Sequence, residues 1–289
     1  DCDWSSDVCS SDLCMASSGP GATNLLTAVA DAKLDSIPLV AITGQVPRAM
    51  IGTDAFQEVD TYGLSIPITK HNFLVSSADQ LLDIVPRAFR IAASGRPGPV
   101  LVDIPKDVQN QLVEVDEWPE PGCAELIPPP DVELVERAAA MINQAVKPIL
   151  YLGGGVVHSG ASKVAVGLAE KAGLPTVMTL MALGAMAVDH DLSLGMLGMH
   201  GARCTNLALD ECDLLIAVGA RFDDRATGKV AGFCPQAKII HIDIDPSELD
   251  KIKTAHVGIA GDVQTVLEML LPKIESPLRE AWLARVASL

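Results

Sequence analysis

At 289 residues, the chain exceeds the roughly 250 residues at which one hydrophobic core usually stops growing, so we expect two domains. Its formal net charge is -16, and its Lys and Arg residues form no cluster. Nucleic-acid binding needs concentrated positive charge, so we do not expect a nucleic-acid partner. No apolar run approaches the roughly 20 residues that span a bilayer, and no signal-peptide pattern is present, so we expect a cytoplasmic protein without a membrane partner.

The first residues differ in composition from the rest of the chain. Residues 1–13 are rich in Ser, Asp and Cys and show no hydrophobic period, so we interpret them as a foreign or unstructured tail. The seven cysteines form no C-x-x-C pair, and no metal site is predicted.

The segment that follows alternates between helix and strand signals. A Gly19-Pro20-Gly21 turn precedes a helical stretch, and an apolar strand is predicted at 38–43. Loop 45–60 then exceeds the roughly two to six residues of an ordinary connection, which favours a functional loop over a plain surface loop. Phe56 and Gln57 would give that loop a stacking surface and an amide.

Two cationic residues in this segment have two interpretations each. Lys70, beside His71, is either a site residue or an exposed lysine. Arg96 lies on a loop that prolines and glycines stiffen. That rigidity suits ligand contact, although the loop alone also explains the prolines and glycines.

Proline-rich residues 113–130 separate this segment from a second alternation of helices and strands. Such alternation indicates α/β units with doubly wound parallel sheets, one on each side of the proline-rich stretch. In the second unit, the predicted strands are 148–152, 175–180, 214–218, 238–243 and 256–260.

Small and polar residues recur where the strands of the second unit end. They are Gly153 to Gly155, Thr179, Gly219, Asp243 with Asp245, and Gly261. Because the carboxyl ends of parallel strands meet at one sheet edge, these residues predict a site for a nucleotide-like ligand, with Asp243 as the candidate to hold ribose hydroxyls. The glycine triplet is not a strict G-x-G-x-x-G, so it does not specify a dinucleotide.

A cluster of charges follows the predicted strand at 214–218. It consists of Arg221, Asp223, Asp224 and Arg225. Guanidinium groups at a strand end favour phosphate or carboxylate, while a salt-bridged loop explains the same residues structurally. His200 also has two interpretations, since it either polarises a ligand through its N–H or caps a loop.

Seven motifs stand out along the chain. They are Ser18-Gly19-Pro20-Gly21-Ala22-Thr23-Asn24, Ile42-Thr43-Gly44-Gln45-Val46-Pro47, Gly52-Thr53-Asp54-Ala55-Phe56-Gln57-Glu58, Arg96-Pro97-Gly98-Pro99-Val100, Leu197-Gly198-Met199-His200-Gly201, Gly219-Ala220-Arg221-Phe222-Asp223-Asp224-Arg225 and His241-Ile242-Asp243-Ile244-Asp245-Pro246. In this order they resemble the large catalytic subunit of acetohydroxyacid (acetolactate) synthase, a thiamine-diphosphate enzyme of branched-chain amino-acid biosynthesis. The resemblance covers residues 14–275.

The resemblance implies a domain arrangement and a set of cofactors. Residues 14–112 would be the later, and therefore incomplete, part of a pyrimidine-binding domain, and 131–275 a central FAD-binding domain of the six-stranded, nucleotide-binding type. Residues 276–289 would begin a linker to a third domain. The implied cofactors are FAD, thiamine diphosphate and Mg²⁺, the last two completed by segments outside this chain.

The resemblance also implies roles for individual residues. Gln57 would face thiamine diphosphate, Phe56 and Lys70 would line the substrate entrance, and Arg225 would bind the carboxylate of the second 2-ketoacid. FAD would be held by Arg96, Gly153, Gly154, Thr179, Leu180, Leu197, Gly198, Met199, His200, Gly201, Gly219, Ala220, Arg221, Asp223, Asp243, Ile244, Gly261 and Asp262.

The implied reaction condenses two 2-ketoacids, pyruvate with pyruvate or with 2-ketobutyrate, and releases CO₂. The family's cofactor-activating glutamate and its metal-binding segment fall outside this chain, so we expect the chain alone to be inactive. Acetolactate formation by the purified chain would contradict that expectation. The implied partners are further copies of the chain, as a homodimer or tetramer, and a regulatory small subunit.

Three alternatives stay open. The nearest is glyoxylate carboligase or another FAD-containing thiamine-diphosphate enzyme. One from a different class is a non-catalytic FAD-binding or assembly module that only pairs with partners. An NAD-dependent oxidoreductase is disfavoured, because Arg221 and Arg225 lie far from any G-x-G-x-x-G loop.

Overall fold

The computed structural model describes residues 12–276 and 278–289, which form two compact units divided between Leu126 and Ile127. The division falls inside the proline-rich stretch 113–130. Each unit is an α/β structure with one parallel sheet, which confirms the predicted fold class.

The first unit contains a four-stranded sheet in the order β1-β2-β4-β3, with every neighbouring pair parallel. Its strands are β1 (Asp12–Ala16), β2 (Leu39–Gln45), β3 (His71–Leu74) and β4 (Pro99–Pro105). Its helices are α1 (Pro20–Asp35), α2 (Thr61–Ser65), α3 (Leu81–Ala93) and α4 (Lys106–Gln109). The buried strands β2 and β4 form the centre of this sheet.

The chain enters the first sheet earlier than the sequence indicated. Asp12 and Leu13, which we assigned to the tail, pair with Leu39 and Val40 as the first residues of β1. Strands pair through backbone N–H and carbonyl groups, so Asp12 and Leu13 can join the sheet without an alternating pattern of apolar residues. The boundary of the predicted tail therefore moves to Asp12, and its other residues, 1–11, lie outside the described part of the chain.

The second unit contains a six-stranded parallel sheet in the order β10-β9-β8-β5-β6-β7. Its strands are β5 (Pro148–Leu152), β6 (Thr176–Met178), β7 (Ser193–Met196), β8 (Leu214–Val218), β9 (Lys238–Asp243) and β10 (Val257–Ala260). Its helices are α5 (Val132–Gln144), α6 (Gly154–His158), α7 (Ser162–Ala172), α8 (Arg203–Glu211), α9 (Asp224–Thr227), α10 (Val263–Leu270) and α11 (Glu280–Ala287).

The direction in which this sheet grows reverses between β5 and β8. From β5 the chain adds β6 and β7 on one side, and from β8 it adds β9 and β10 on the other. All five residues of β5 and all five of β8 are buried, because helices cover both faces of the sheet. In open sheets of this kind, ligands bind beyond the carboxyl ends of the strands at the point of reversal.

Helix α11 packs onto the second unit. The indole Nε1 of Trp282 donates to the carbonyl of Pro148 (3.0 Å), at the start of β5. The Arg279 guanidinium donates to the carbonyls of Ala145 (3.2 Å), Ile142 (2.5 Å) and Ala172, at the ends of α5 and α7. Residues 276 and 278–289, which the sequence assigned to a linker, therefore lie on the second unit.

Within the described residues, no helix is both long and apolar enough to cross a membrane.

We predict that Arg279→Ala destabilises the second unit strongly, because it removes the guanidinium that donates to the carbonyls of Ala145, Ile142 and Ala172 at two helix ends. Hydrogen bonds from charged groups contribute roughly 1.5–3 kcal/mol, so the free energy of unfolding should fall by at least about 2 kcal/mol. Urea unfolding of the variant would measure this loss. The matched control is Arg285→Ala, which removes an exposed ion pair with Glu211 and should cost much less. An equal loss of unfolding free energy in both variants would contradict the stabilising role of Arg279.

Candidate functional site

The carboxyl edge of the six-stranded sheet is built on three glycines whose backbones touch. Gly153 follows β5 and its N–H donates to the carbonyl of Val218 (2.9 Å), while the Gly155 N–H donates to the carbonyl of Gly219 (3.1 Å). A Cβ on Gly155 would lie 2.7 Å from the Cα of Gly219, and a Cβ on Gly219 2.6 Å from the Cα of Gly155. Only glycine fits these positions, so backbone groups form the surface where the sheet reverses.

Asn206 on α8 fixes the loop that follows β7. Its Oδ1 accepts the Gly198 N–H (2.9 Å), and its Nδ2 donates to the Gly198 carbonyl (3.0 Å). Gly198 has a φ of 81°, and a Cβ there would lie 2.7 Å from the Cα of Ala226 on α9. The loop at 197–201 is therefore packed against α9. Sequence reasoning did not identify Asn206, since an Asn inside a helix carries no signal of the loop that it holds.

His241 supports the loop that follows β8 from within the core. It is fully buried on β9, and its Nε2 lies 2.8 Å from the carbonyl of Ala220, so Nε2 carries the proton and donates. Burial lowers the pKa of His241, which keeps the imidazole neutral at pH 7. The ring of Phe222 lies edge-on to His241 (centroids 5.0 Å apart) and to Tyr151 (5.9 Å). Phe222 has a φ of 56°, and this ring packing stabilises its left-handed backbone.

The acidic residues of this edge hold backbone groups. Asp223 caps α9 by accepting the Ala226 N–H (2.9 Å), and Asp262 caps α10 by accepting the Thr265 N–H (2.8 Å). Asp243, which is buried at the end of β9, accepts the N–H of Asp245 (2.9 Å). These carboxylates therefore fix the shape of the loops.

The structure brings the predicted FAD residues of the second unit to one edge of one sheet. They are Gly153 and Gly154 after β5, Thr179 and Leu180 after β6, Leu197, Gly198, Met199, His200 and Gly201 after β7, Gly219, Ala220, Arg221 and Asp223 after β8, Asp243 and Ile244 at β9, and Gly261 and Asp262 after β10. Among them, Leu180 and Met199 are 69% and 70% exposed. The edge thus combines glycine backbone, exposed apolar side chains and the half-buried Arg221, which suits a ligand with both an anionic and an aromatic part.

The carboxyl edge of the four-stranded sheet carries Phe56 and Gln57. Gln57 has a left-handed backbone with a φ of 61°, and a Cβ on Gly19 would lie 2.7 Å from the Gln57 carbonyl oxygen. The glycine turn before α1 and the loop after β2 therefore meet at this edge. Phe56 is 88% exposed, so its ring is open to a ligand or to another chain.

Glu58 holds the same loop in shape. Its carboxylate accepts the backbone N–H groups of Gly52, Thr53 (3.3 Å) and Ala55 (3.0 Å). The hydrogen bonds from Gly52 and Ala55 hold the pKa of Glu58 below its usual range. The carboxylate is therefore ionised at neutral pH and ties residues 52–58 into one rigid turn.

Lys70 and Arg96 lie at the opposite edge of the first sheet. Lys70 precedes β3, and its ammonium donates to the carbonyls of Ile91 (2.6 Å) and Ser94 at the end of α3. Arg96 precedes β4, and its Nε donates to the Oγ of Ser36 (2.9 Å). Strand β4 has seven residues, and its rise of about 3.3 Å per residue places the two edges about 20 Å apart. Within one chain, Lys70 and Gln57 therefore lie at opposite edges of the sheet, about 20 Å apart along the strand direction.

Asp103 is a buried carboxylate that sequence reasoning did not identify. It lies on β4 with no exposed surface, and its two oxygens accept the Thr43 hydroxyl (2.7 Å) and the Gln45 amide (3.0 Å). Burial raises the pKa of Asp103 to about 6, against the opposing effect of those two hydrogen bonds, and the charge of Asp60 adds to the rise. An Asp within the apolar run 100–104 was the signal that could have revealed it.

The described residues contain no cluster of His, Cys, Asp and Glu that could hold a metal ion.

Two family models match the chain. The thiamine pyrophosphate enzyme N-terminal TPP-binding domain matches residues 11–64, and the thiamine pyrophosphate enzyme central domain matches residues 135–270. The first match contains Gly19 and Gln57, and the second contains the whole six-stranded sheet.

Individual relatives are also similar to the chain. It is 61% identical to the acetolactate synthase isozyme 1 large subunit of Escherichia coli over 277 residues, which are 96% of this chain and 49% of the relative. It is 53% identical to the isozyme 2 large subunit of E. coli over 93% of this chain and 48% of the relative. It is 52% identical to the acetolactate synthase large subunit of Corynebacterium glutamicum over 90% of this chain and 42% of the relative. The chain thus spans about half the length of the relatives that it matches.

We predict that Gly153→Ala disrupts the edge of the six-stranded sheet. The added Cβ would lie 2.6 Å from the Cα of Ala220 and would also meet the Gly219 carbonyl, so the backbone must shift. Overpacking of this kind costs on the order of 1–3 kcal/mol, which urea unfolding would detect. The control is Gly232→Ala, where an added Cβ meets nothing within 4 Å. Equal stability of the two variants would contradict the close contact.

We predict that Asp103 makes the stability of the first unit depend on pH. Its pKa is raised from 3.8 to about 6 on folding, so the folded state binds the proton more tightly. The stabilisation from the protonated form is complete below about pH 4 and is lost as the pH rises through 6. Relative to Asp103→Asn, the wild type should therefore lose up to about 3 kcal/mol between pH 4 and pH 8, from about 1.4 kcal/mol for each pKa unit. A constant difference in the free energy of unfolding across that range would contradict the prediction.

Proposed function

Because this chain belongs to the thiamine pyrophosphate enzyme family, we propose that it forms part of an acetolactate synthase large subunit. The proposed reaction condenses pyruvate with pyruvate or 2-ketobutyrate, and releases CO₂, in branched-chain amino-acid biosynthesis. Its main support is the similarity of nearly the whole chain to large subunits that carry this name, at 61% and 53% identity for the two E. coli isozymes. The cytoplasmic location of the protein stays a prediction from the sequence.

We propose that the edge of the first sheet that holds Gln57 faces thiamine diphosphate. The contact between Gly19 and the backbone of Gln57 supports this role, because it fixes the position of Gln57 beside the glycine turn that precedes α1. Thiamine diphosphate supplies the carbanion equivalent that joins the two ketoacids. The residues of this chain would orient the cofactor and limit access of water, with Phe56 at the entrance. Magnesium is proposed for the whole enzyme, of which this chain spans about half the length.

We propose that the edge of the second sheet holds FAD. The three touching glycines leave room for a diphosphate, and Arg221 offers it a planar set of donors. The exposed side chains of Leu180 and Met199 offer apolar surface to a flavin ring. The position of Asp243 at the end of β9 suits contact with ribose hydroxyls.

We propose that the enzyme is a homodimer or tetramer with a regulatory small subunit. The separation of Lys70 from Gln57 supports the first part. Within one chain the two residues occupy opposite edges of a sheet, about 20 Å apart, so they can serve one substrate entrance only if a second copy supplies one of them. The second part is supported by the two E. coli relatives, which are named as large subunits.

The complete large subunit that contains this chain should convert pyruvate to acetolactate when thiamine diphosphate, Mg²⁺ and FAD are supplied. A colorimetric assay of the product, with glyoxylate as the competing substrate, tests the proposal. Preference for glyoxylate would favour a glyoxylate carboligase. Retention of FAD without turnover of either ketoacid would favour a non-catalytic FAD-binding module.

We predict that Arg225→Ala in the complete enzyme impairs ketoacid condensation far more than FAD binding. A guanidinium that binds the carboxylate of the second ketoacid contributes roughly 1.5–3 kcal/mol, so kcat/KM should fall about 10- to 100-fold. Flavin absorbance after gel filtration should show retention of FAD within about threefold of the wild type. Arg203→Ala, at an exposed position on the neighbouring helix α8, is the control and should leave both quantities unchanged. Equal losses of condensation and FAD in Arg225→Ala would contradict the role.

A further inference from the structure

One short stretch of the chain, from Asp103 on β4 to Asp107 on α4, holds both ends of the loop at 46–60, which carries Phe56 and Gln57. At the start of this loop, Asp107 on α4 accepts the N–H of Arg48 (2.9 Å) and pairs with its guanidinium (Nε to Oδ2, 2.7 Å). This anchor is exposed to solvent, and its contribution is correspondingly weak. The anchor at the other end is buried.

The buried anchor is Asp103, and it determines the orientation of the Gln45 amide. An ionised carboxylate only accepts hydrogen bonds, so the Gln45 atom that faces it at 3.0 Å must be Nε2. In that orientation, Gln45 Oε1 accepts the Val46 N–H (2.8 Å), and Nε2 also donates to the carbonyl of Val59 (2.8 Å). Both polar atoms of the Gln45 amide therefore have hydrogen-bond partners. Rotating the amide by 180° would place Oε1 against the Asp103 carboxylate, and two acceptors cannot form a hydrogen bond.

The Val59 carbonyl lies at the end of the loop at 46–60, just before α2. It also accepts the N–H of Thr61, at the start of α2 (2.8 Å). Gln57 lies two residues earlier, and the carboxylate of Glu58 binds the backbone between the two ends of the turn. Because this turn is rigid, a shift at Val59 moves Gln57 and its contact with Gly19.

We propose that Asp103 is a positioning residue, which acts through Gln45 and Val59 to hold Gln57 against the Gly19 turn. Burial of a carboxylate opposes folding unless hydrogen bonds offset the lost hydration, and here one of the two donors is an amide that also binds the functional loop. Asp103 itself has no exposed surface and does not contact a ligand. The proposal has a structural part, that Asp103 orders the loop, and a catalytic part, that this order supports ketoacid condensation. Only the catalytic part rests on the proposed function.

Hydrogen exchange in the complete large subunit tests the structural part. In Asp103→Ala, the backbone amides of residues 46–60 should exchange about tenfold faster, while β2 and β4 retain their protection. Asp103→Asn should stay within about threefold of the wild type, since its amide nitrogen can donate to Thr43 and its oxygen can accept from Gln45. Asp31→Asn, at an exposed position on α1, is the control and should change nothing. Equal acceleration throughout the first unit would overturn the proposal, because it would indicate only a structural role.

Gln45→Met keeps the proposal testable if Asp103→Ala fails to fold. This variant removes the connection to Val59 with a side chain of similar length, and it should accelerate exchange in residues 46–60 by the same factor. Unchanged exchange there would overturn the proposal.

Steady-state kinetics test the catalytic part. Asp103→Ala should lower kcat for ketoacid condensation about tenfold and leave KM within about threefold, and Asp103→Asn should restore kcat. An unchanged kcat in a variant whose loop exchanges faster would overturn the catalytic role of Asp103. Absence of condensation in the wild type would instead contradict the proposed function, and the exchange measurements would still decide the positioning role.

Discussion

Parallel pairing of the strands is the constraint on which both candidate sites depend. A parallel neighbour cannot be reached through a tight hairpin, so consecutive strands of each sheet are joined by crossovers that begin at the same edge. The loops at that edge consist of irregular backbone whose N–H and carbonyl groups need partners. Asn206, Glu58 and His241 supply such partners, and in doing so they give the loops defined shapes.

Many charged residues at these edges bind the protein itself. Asp223 and Asp262 cap helices, and Glu58 closes a turn around backbone N–H groups. The number of charged residues in the sequence is therefore larger than the number of charged groups that are available to a ligand. Arg221 on the second unit and the amide of Gln57 on the first lie on loops whose shape is fixed by neighbours, which is the arrangement that a preorganised binding site requires.

The central strands could be predicted from the sequence because burial on both faces leaves an unbroken apolar run. The predicted strands at 148–152, 214–218 and 238–243 agree with β5, β8 and β9. Strand β7 could not be predicted, since Ser193–Met196 is half-buried at the sheet edge and contains a glycine. Likewise, nothing in the spacing indicated that Trp282 would fix α11 to β5.

The sites could be predicted only in part, for a related reason. Strand ends are visible in sequence as glycines and polar residues, so the candidate edge of the second sheet could be located. The partners that hold its loops come from distant positions, as with His241 and Ala220, which are 21 residues apart. Asp103 and Gln45 are separated by 58 residues, and only the register of β2 beside β4 brings them together. Pairing between neighbouring strands is not encoded in local patterns.

The mutual contact of Gly153, Gly155 and Gly219 limits how a protein with this sheet can diversify. Gly153 and Gly155 each exclude a side chain because of Gly219, and Gly219 excludes one because of Gly155, so a replacement at any of the three requires the main chain of two loops to move together. Changes in ligand preference would therefore have to accumulate at the outer strand ends, such as Thr179, Leu180 and Ile244, which are partly open to solvent. We therefore expect the three glycines at the centre of this sheet edge to stay constant, while the residues on either side of them vary.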